Sequence, residues 1–179
     1  MSLPFFTIGH SNRTLAEFVE LLRGAEVDLV ADIRRFPKSR TNPQFNDDTL
    51  PAALAHTGIR YEHMAALGGY RGEAPALPES VNDLWRNKSF HNYADYALTA
   101  PFRSALEHLI DEGSGQRCAL MCSEAVWWRC HRRIIADYLI ASGETVFHIM
   151  GQGRLEPAQL TSGAVVKSPP APNLRLPAA

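Results

Sequence analysis

Short apolar runs alternate with helix-like segments along most of this 179-residue sequence, and this alternation restricts the fold more than any other feature. The apolar runs, which we interpret as strands, are residues 5–8, 27–33, 59–63, 117–122 and 145–150. Between the first two, Leu15, Phe18 and Leu22 recur at helical spacing. A chain that alternates in this way forms an open, mostly parallel sheet with helices on both faces. We therefore predict an α/β fold, a single domain with a sheet of about five strands.

Capping residues and apolar periodicity predict where the helices begin and end. Thr14, with Glu17 three residues later, has the pattern of a capping box and starts the first helix. The last helix is predicted to follow the fourth strand directly, over residues 125–141, and to end at Gly143. Three more are predicted between them: one that Asp47 or Asp48 caps and that stops at Gly58, one along Phe90, Tyr93 and Tyr96, and one that starts at Pro101.

The length of the chain favours one hydrophobic core. Two independent domains of half this length would each bury too little apolar surface, so residues 1–153 are predicted to form one domain. After Gly153 the composition shifts to Pro, Ala, Ser and Gly, which predicts an extended or partly disordered tail over residues 154–179. The loop from Leu67 to Pro78 is too long for a simple connection, and loops of this length often carry function.

Charge and cysteine usage indicate the cellular compartment of this chain and the kinds of partner it can attract. The net charge of −1 and the pI of about 6.6 exclude a global field that would attract nucleic acid or an anionic membrane. No apolar run approaches the ~20 residues of a membrane span, and the first residues lack the pattern of a signal peptide. Three cysteines without a disulfide pattern suit a reducing compartment. We therefore expect a cytoplasmic protein with no membrane partner, in which electrostatic recognition is local.

The spacing of the cysteines argues against a shared structural role. Cys118 and Cys122 on one strand would lie about 13 Å apart, whereas a disulfide needs Cα atoms within about 7 Å. If the residues after Cys122 are helical, Cys130 lies roughly 12 Å away, which argues against a zinc ion bound by both. No metal ligand is therefore assigned. A metal role for Cys122, His10 and His131 stays open, because neighbours in space need not be neighbours in sequence.

Polar residues follow the predicted strands at the points where the strands end. The carboxyl ends of parallel strands meet at one edge of the sheet, and ligands bind there in open α/β folds. We therefore predict a ligand site built from residues far apart in the sequence. The residues at these ends are His10, Ser11, Asn12 and Arg13, then Asp32 and Arg34, then His63, then Cys122, Ser123 and Glu124, and finally His148.

Cys122 stands where a buried strand is predicted to give way to a helix, which favours a reactive thiol. Helix N–H groups and the cations that follow stabilise a thiolate at such a position. Cys122 is therefore the candidate nucleophile or thiol acid/base, with Glu124, Asp32 or His131 as proton carriers. Structural alternatives stay open: Cys122 as a small core residue, His131 as a hydrogen-bonded core histidine, and Asp32 as the anchor of Arg34.

Two short stretches, residues 34–40 and 129–133, concentrate the positive charge. Forked guanidinium groups bind phosphate or carboxylate through paired hydrogen bonds. Arg34, Ser39 and Arg40 are therefore predicted to bind an anionic substrate, together with Arg13. The alternative for the first stretch is a solvated basic loop with no ligand.

Several short motifs, taken together and in order, resemble the family catalogued as domain of unknown function 488. The resemblance covers about residues 5–150, implies a compact α/β fold, and makes the motif positions the expected site, so that Tyr61, Gly68, Gly69 and Arg132 join the substrate-binding candidates. It implies no particular reaction. The motifs are Gly9-His10-Ser11-Asn12-Arg13, Asp32-Ile33-Arg34 with Pro37 and Ser39, Tyr61 with Leu67-Gly68-Gly69, and Cys122-Ser123-Glu124 followed by Cys130-His131-Arg132.

These observations are consistent with three functions, and none of them specifies a cofactor or an oligomeric state. The first is an enzyme that uses a Cys122 thiolate on a phosphate- or nucleotide-like substrate. The second is a hydrolase of nucleotide or glycosidic bonds that uses Asp32 or Glu124 instead. The third is a non-catalytic module that binds a nucleotide or nucleic acid, with Tyr70 or Phe45 stacking on a base.

Overall fold

The fold is an α/β sandwich in which helices cover both faces of one sheet. The computed structural model describes residues 2–73 and 78–166. Six strands form the sheet, in the order β3-β2-β4-β1-β5-β6, and β1 to β5 run parallel. This confirms the predicted fold class, with one strand more than expected. The strands are β1 (Phe5–Gly9), β2 (Leu29–Asp32), β3 (Arg60–His63), β4 (Cys118–Cys122), β5 (Val146–Gly151) and β6 (Arg154–Pro157).

The sixth strand lies in the segment that composition assigned to the tail. It pairs antiparallel with β5, and all four of its residues are exposed. A strand with both faces in water carries no alternation of apolar and polar residues, so its sequence did not reveal it. The Pro-rich end of the predicted tail, residues 167–179, and residues 74–77 of the long loop lie outside the described residues.

Five helices flank the sheet within the described residues. Their apolar faces form two core layers, one on each side: α1 and α2 pack on one face, and α3, α4 and α5 on the other. The hydroxyl of Thr14 accepts the N–H of Glu17 at 3.1 Å, so the predicted cap of α1 is confirmed. The helices are α1 (Leu15–Gly24), α2 (Leu50–Ala55), α3 (Lys88–Tyr96), α4 (Ala100–Gly113) and α5 (Arg132–Ala141).

Two predicted helix starts are wrong. Thr49, not Asp47 or Asp48, precedes α2, and its side chain makes no capping hydrogen bond. The carboxylates of Asp47 and Asp48 lie 2.8 and 3.7 Å from Nζ of Lys38 instead. The predicted helix over residues 125–141 does not form in its first third. Residues 127–129 make a single 3₁₀ turn, and α5 begins only at Arg132. The chain between β4 and α5 is therefore a folded connection rather than a helix, and it carries the residues of the candidate site.

No helix of the described residues has both the length and the apolar composition needed to cross a bilayer. The longest of these helices, α4, has 14 residues, which is shorter than the ~20 residues of a membrane-spanning helix.

Candidate functional site

A cavity of about 300 Å³ opens at the carboxyl end of β4, where parallel sheets bind ligands. It lies between the connection after β4, the loop after β2, the long loop after β3, and the start of α3. The segments that follow β2, β3 and β4 are far apart in the sequence, so residues from separate strand ends do meet at this edge of the sheet, as predicted. The lining residues are Arg34, Arg35, Phe36, Gly69, Tyr70, Asn87, Ser89, Phe90, Tyr93, Cys122, Glu124, Arg129, Cys130 and His131.

Two sulfurs and an imidazole form a compact cluster in this cavity. Cys122, Cys130 and His131 each offer one ligand atom, and these three atoms lie within 4.8 Å of one another. The Cys130 Sγ lies 3.6 Å from Nδ1 of His131. Both thiols are almost fully buried, with Cys122 at 8% and Cys130 at 4% exposure. A nucleophile and a proton carrier, or three metal ligands, are thus placed together.

The local hydrogen bonds give the two thiols opposite acidities. A hydrogen bond from the Cys130 thiol holds the pKa of Cys122 well below its usual value, and a hydrogen bond from the N–H of Glu124 acts in the same direction. Burial raises the pKa of Cys130. Cys122 is therefore the thiolate of the pair. The N–H that reaches it comes from a turn, because the helix expected after Cys122 does not form there.

The prediction that Cys122 and Cys130 lie too far apart to share a metal ion is wrong. It assumed a helix between them, and a helix would separate them by roughly 12 Å. The connection instead folds back through the 3₁₀ turn and returns Cys130 to the end of β4. A second group with the spacing of metal ligands, Glu62, His108 and Glu112, lies on the surface, where the His108 ring is paired with Glu62 at 2.6 Å.

The orientation of His131 is fixed by a backbone carbonyl. Its Nε2 lies 2.9 Å from the oxygen of Ile33, and a carbonyl can only accept, so Nε2 carries the proton. In the neutral ring, Nδ1 then presents its lone pair toward the sulfurs. The buried ring of Tyr93 packs 4.9 Å from the imidazole, and its hydroxyl is held by the carbonyl of Leu67. The ring is thus prepared to accept a proton or to bind a metal ion.

Positive charge and aromatic surface surround the mouth of the cavity. Arg35 and Arg129 are exposed, and neither guanidinium has an acidic partner among the described residues. Arg35 donates to the carbonyl of Tyr70 at 2.5 Å, which holds it at the rim. Phe36 is 67% exposed and Tyr70 is 84% exposed, which is unusual for rings of this size. The rim thus offers cations for an anion and flat faces for stacking.

Arg34, the first arginine of the predicted anion loop, is buried in a hydrogen-bonded network. It contacts both carboxylate oxygens of Asp32, at 2.9 and 2.7 Å, and donates to the carbonyl of Phe45 at 2.7 Å. Its third contact is Nε2 of His10 at 3.3 Å. The hydroxyl of Tyr61 donates to Asp32 at 2.5 Å, and burial raises the pKa of that hydroxyl. With these partners, the Arg34 guanidinium and the Asp32 carboxylate have little capacity left for a substrate.

His10 belongs to this same network rather than to the cysteine cluster. Its Nδ1 donates to the carbonyl of Ser11 at 2.8 Å, so Nε2 accepts from Arg34. The ring stacks on Phe45 with centroids 4.4 Å apart, and burial lowers its pKa. Phe45 is itself fully buried, so the expectation that it stacks on a nucleotide base is wrong.

Other substrate-binding candidates lie away from the cavity lining. Arg13 faces a separate small pocket beside Glu17 and donates to the carbonyl of Gly9 at 3.2 Å. Arg132 is buried and donates to the carbonyls of Glu124 and Ala125, at 2.7 and 3.2 Å. The remaining candidates outside the lining are Ser11, Asn12, Ser39 and Arg40, of which Ser39 accepts the N–H of Asn42 at 3.0 Å and Asn12 and Arg40 are exposed.

The glycines of the motifs allow backbone segments to approach each other around the cavity. A Cβ on Gly68 would lie 2.6 Å from the Cα of Arg35, and one on Gly69 would lie 3.1 Å from Nδ1 of His131. A Cβ on Gly9 would overlap the carbonyl oxygen of Glu124. These glycines therefore position the arginine loop, the imidazole and the turn after Cys122, and they act through packing rather than through contact with a ligand.

Several lining residues escaped the sequence analysis. Arg35 and Arg129 lie in the two basic stretches, and Cys130 lies in a family motif, but the sequence makes none of the three a site candidate. The adjacent Cys130 and His131 are the available signal, because a thiol and an imidazole can both carry a proton and bind a metal ion. Asn87, Ser89 and Phe90 come from the start of α3, and their approach to Cys122 depends on long-range packing that no local pattern encodes.

Comparison with known proteins agrees with the motifs. The sequence model of a family described as Domain of unknown function DUF488 matches residues 14–139, within the range of about 5–150 expected from the motifs. No curated protein and no solved structure matches the chain.

Proposed function

This chain belongs to the DUF488 family, whose description assigns no reaction, and we propose its function from the chemistry of the cavity. The proposal is an enzyme that acts on a phosphate- or nucleotide-like anion, with the Cys122 sulfur as the reacting group. The observation that carries it is geometric. Cys122 ends a buried strand at a cavity, and at the mouth of this cavity lie two arginines, Arg35 and Arg129, that have no acidic partner among the described residues. An anion held by those arginines would be presented to the sulfur.

Each residue of the cavity has a role in this proposal. Arg35 and Arg129 bind the anion through charge-assisted hydrogen bonds. As a thiolate, the Cys122 sulfur attacks the phosphorus of a bound phosphate ester and displaces the ester oxygen, which takes up a proton and leaves as the alcohol, and water then releases the phosphate from the sulfur. Alternatively, the thiolate accepts a proton from the substrate. His131 exchanges the proton through Nδ1, because its Nε2–H is held by Ile33. Glu124, exposed at the cavity wall, is the second proton carrier.

The exposed rings at the mouth favour a nucleotide over a bare phosphate. Phe36 and Tyr70 line the cavity next to Arg35, whose guanidinium lies 5.4 Å from the centre of the Phe36 ring. Such platforms bind bases by stacking, at about 1–3 kcal/mol for each base. The same observation supports the second candidate, a non-catalytic module that binds nucleotides or nucleic acid without using Cys122.

A carboxylate-based hydrolase has less support in the geometry. Asp32 is fully buried, lies outside the cavity lining, and shares its oxygens with Arg34 and Tyr61. This mechanism would therefore depend on Glu124 alone. We also propose a cytoplasmic location, because the three cysteines are free thiols, which suits a reducing compartment.

Isothermal titration calorimetry with inorganic phosphate and with adenosine monophosphate tests the binding half of the proposal. Arg35→Ala and Arg129→Ala should each weaken binding by roughly 10- to 100-fold, since a charged hydrogen bond contributes about 1.5–3 kcal/mol. Arg154→Ala is the matched control, because this exposed arginine lies on β6, outside the cavity lining. Equal affinities in all four proteins, or no heat with either anion, would reject the anion site.

Turnover of a panel of phosphate esters and nucleotides tests the chemical half. Cys122→Ser should abolish any activity found, whereas Cys118→Ala, at the other end of β4, should keep it. Full activity in Cys122→Ser would favour the Glu124 mechanism. Anion binding with no turnover of any ester or nucleotide would favour the non-catalytic module.

A further inference from the structure

We propose that Cys122, Cys130 and His131 bind one Zn²⁺ ion, with a fourth coordination position that faces the cavity. The inference rests on the proposed function only in that both use the same cavity. Its own basis is the donor set, the distances between the donors, and the groups that orient them.

The donors match zinc in type and in separation. Two thiolates and one imidazole are ligands that zinc prefers over hard cations such as Mg²⁺. In a tetrahedral site with Zn–S of ~2.3 Å and Zn–N of ~2.0–2.1 Å, a sulfur and a nitrogen ligand lie roughly 3.5–3.6 Å apart. The Cys130 Sγ and His131 Nδ1 are separated by 3.6 Å. The third donor, the Cys122 Sγ, lies within 4.8 Å of both.

Hydrogen bonds around the donors complete the arrangement that metal sites need. The Nε2–H of His131 donates to the Ile33 carbonyl at 2.9 Å, which fixes the tautomer with Nδ1 available for the metal. The N–H of Arg132 donates to the Cys130 sulfur at 3.5 Å, which stabilises the negative charge of a bound thiolate.

The number of ligands indicates what kind of site this is. Structural zinc sites are closed by four protein ligands, whereas catalytic sites have three and leave one position for water or substrate. No fourth cysteine, histidine or carboxylate donor joins the group among the described residues. All three ligands line the cavity beside Arg35 and Arg129. The open position therefore lies where an anionic substrate would bind, and zinc would hold both cysteine ligands as thiolates.

Metal content and cobalt spectroscopy of the full-length protein test the proposal. Protein purified with a phosphine reductant and without chelator should contain about one zinc ion per chain, as measured by inductively coupled plasma mass spectrometry. After removal of zinc, added Co²⁺ should give the ligand-field absorption of a tetrahedral site and a sulfur-to-cobalt charge-transfer band. These two measurements need no variant, so they do not depend on how well a mutant folds.

Variants then identify the ligands. Cys130→Ser and His131→Ala should lower the zinc affinity by at least about tenfold, as even the loss of an outer hydrogen bond to a ligand costs that much. Cys118→Ala and His108→Ala are the controls: Cys118 lies at the far end of β4, and His108 belongs to the surface group with Glu62. Loss of zinc in His108→Ala but not in His131→Ala would place the metal on the surface instead.

The outcomes separate this inference from the proposed function. Wild-type protein that holds no zinc and gives no tetrahedral cobalt spectrum overturns the metal site, and phosphate binding that depends on Arg35 and Arg129 would still support the proposed function. A mass two units lower without reductant, together with no metal uptake when reduced, would make Cys122 and Cys130 a redox pair instead. Zinc bound without any anion affinity would support the metal site and reject the anion proposal.

Discussion

Two groups of polar residues lie side by side at the same edge of the sheet, and they differ in how far their hydrogen bonds are satisfied. The first group is joined by hydrogen bonds, and it consists of the buried Asp32, Arg34 and His10 and the half-buried Tyr61. The second, around Cys122, presents groups with free capacity to a cavity. Both groups consist largely of family motif residues. Motif membership alone therefore does not distinguish a residue that supports the loop from one that faces a ligand.

The neighbours Arg34 and Arg35 show this difference most clearly. Arg34 points inward and is 6% exposed, and its bonds to Asp32 and Phe45 hold the start of the loop. The next residue consequently points outward, and Arg35 reaches the cavity mouth. We infer that the buried network acts as a scaffold that orients Arg35 and, through the bond from His63 to the Arg34 carbonyl at 2.7 Å, the end of β3.

Replacement of either arginine gives the largest expected contrast. Arg34→Ala should lower the free energy of unfolding by about 3–5 kcal/mol, because it leaves the Asp32 carboxylate buried without its ion-pair partner. Arg35→Ala should change it by no more than about 0.5 kcal/mol, because that side chain is exposed. Urea denaturation followed by circular dichroism measures both. Similar losses in the two variants would contradict the assignment of Arg34 to the scaffold.

A buried histidine, His148, makes the stability of the fold depend on pH. His148 is buried against Trp127, with ring centroids 4.5 Å apart, and its Nδ1 lies 2.7 Å from the Thr7 hydroxyl. Burial lowers its pKa to about 4, and the positive charge of Arg132 acts in the same direction. The folded protein therefore keeps this ring neutral at pH values where the unfolded chain, with a pKa near 6.5, takes up a proton.

The stability that depends on a neutral His148 should be fully present above pH 6.5 and lost as the pH falls toward 4. A shift of this size corresponds to about 3 kcal/mol. Denaturation midpoints at pH 7.5, 6, 5 and 4.5, compared between the wild type and His148→Gln, isolate this contribution, because glutamine does not titrate. If the denaturation midpoints of the two proteins change with pH in the same way, His148 is not the source of the pH-dependent stability.

A backbone contact links the two groups at Gly9, where strand β1 meets the turn after Cys122. Gly9→Ala would drive a Cβ into the Glu124 carbonyl, which as a backbone atom has little room to move. We expect a loss of about 1–3 kcal/mol, the usual cost of overpacking, together with weaker zinc binding. Gly24→Ala is the control, because nothing lies within 4 Å of its added Cβ. If Gly9→Ala binds zinc as tightly as Gly24→Ala, the turn is not needed to position Cys122.

The scaffold could be predicted from the sequence much further than the cavity could. The apolar runs predicted five of the six strands, and Thr14 was correctly predicted as the N-cap of α1, because both signals are local in the sequence. The convergence of polar residues at the strand ends followed from parallel topology alone. The cysteine cluster could not be derived in this way. A helix between Cys122 and Cys130 satisfied every local rule, and only the tertiary fold, with Gly9 and Gly69 packed against this connection, brings the two sulfurs together.

The smallest expected effect concerns the exposed rings, and it distinguishes a nucleotide from a bare anion at the cavity. Phe36→Ala should weaken the binding of adenosine monophosphate by roughly 5- to 10-fold, equivalent to about 1–1.4 kcal/mol at the lower end of base stacking on an aromatic ring. It should leave the affinity for inorganic phosphate unchanged, since Arg35 and Arg129 stay in place. Trp128→Ala is the matched control, because this ring is 44% exposed but does not line the cavity. Parallel calorimetric titrations with both ligands measure the two affinities. Equal losses for phosphate and nucleotide would show that Phe36 only supports Arg35, and that the substrate needs no base.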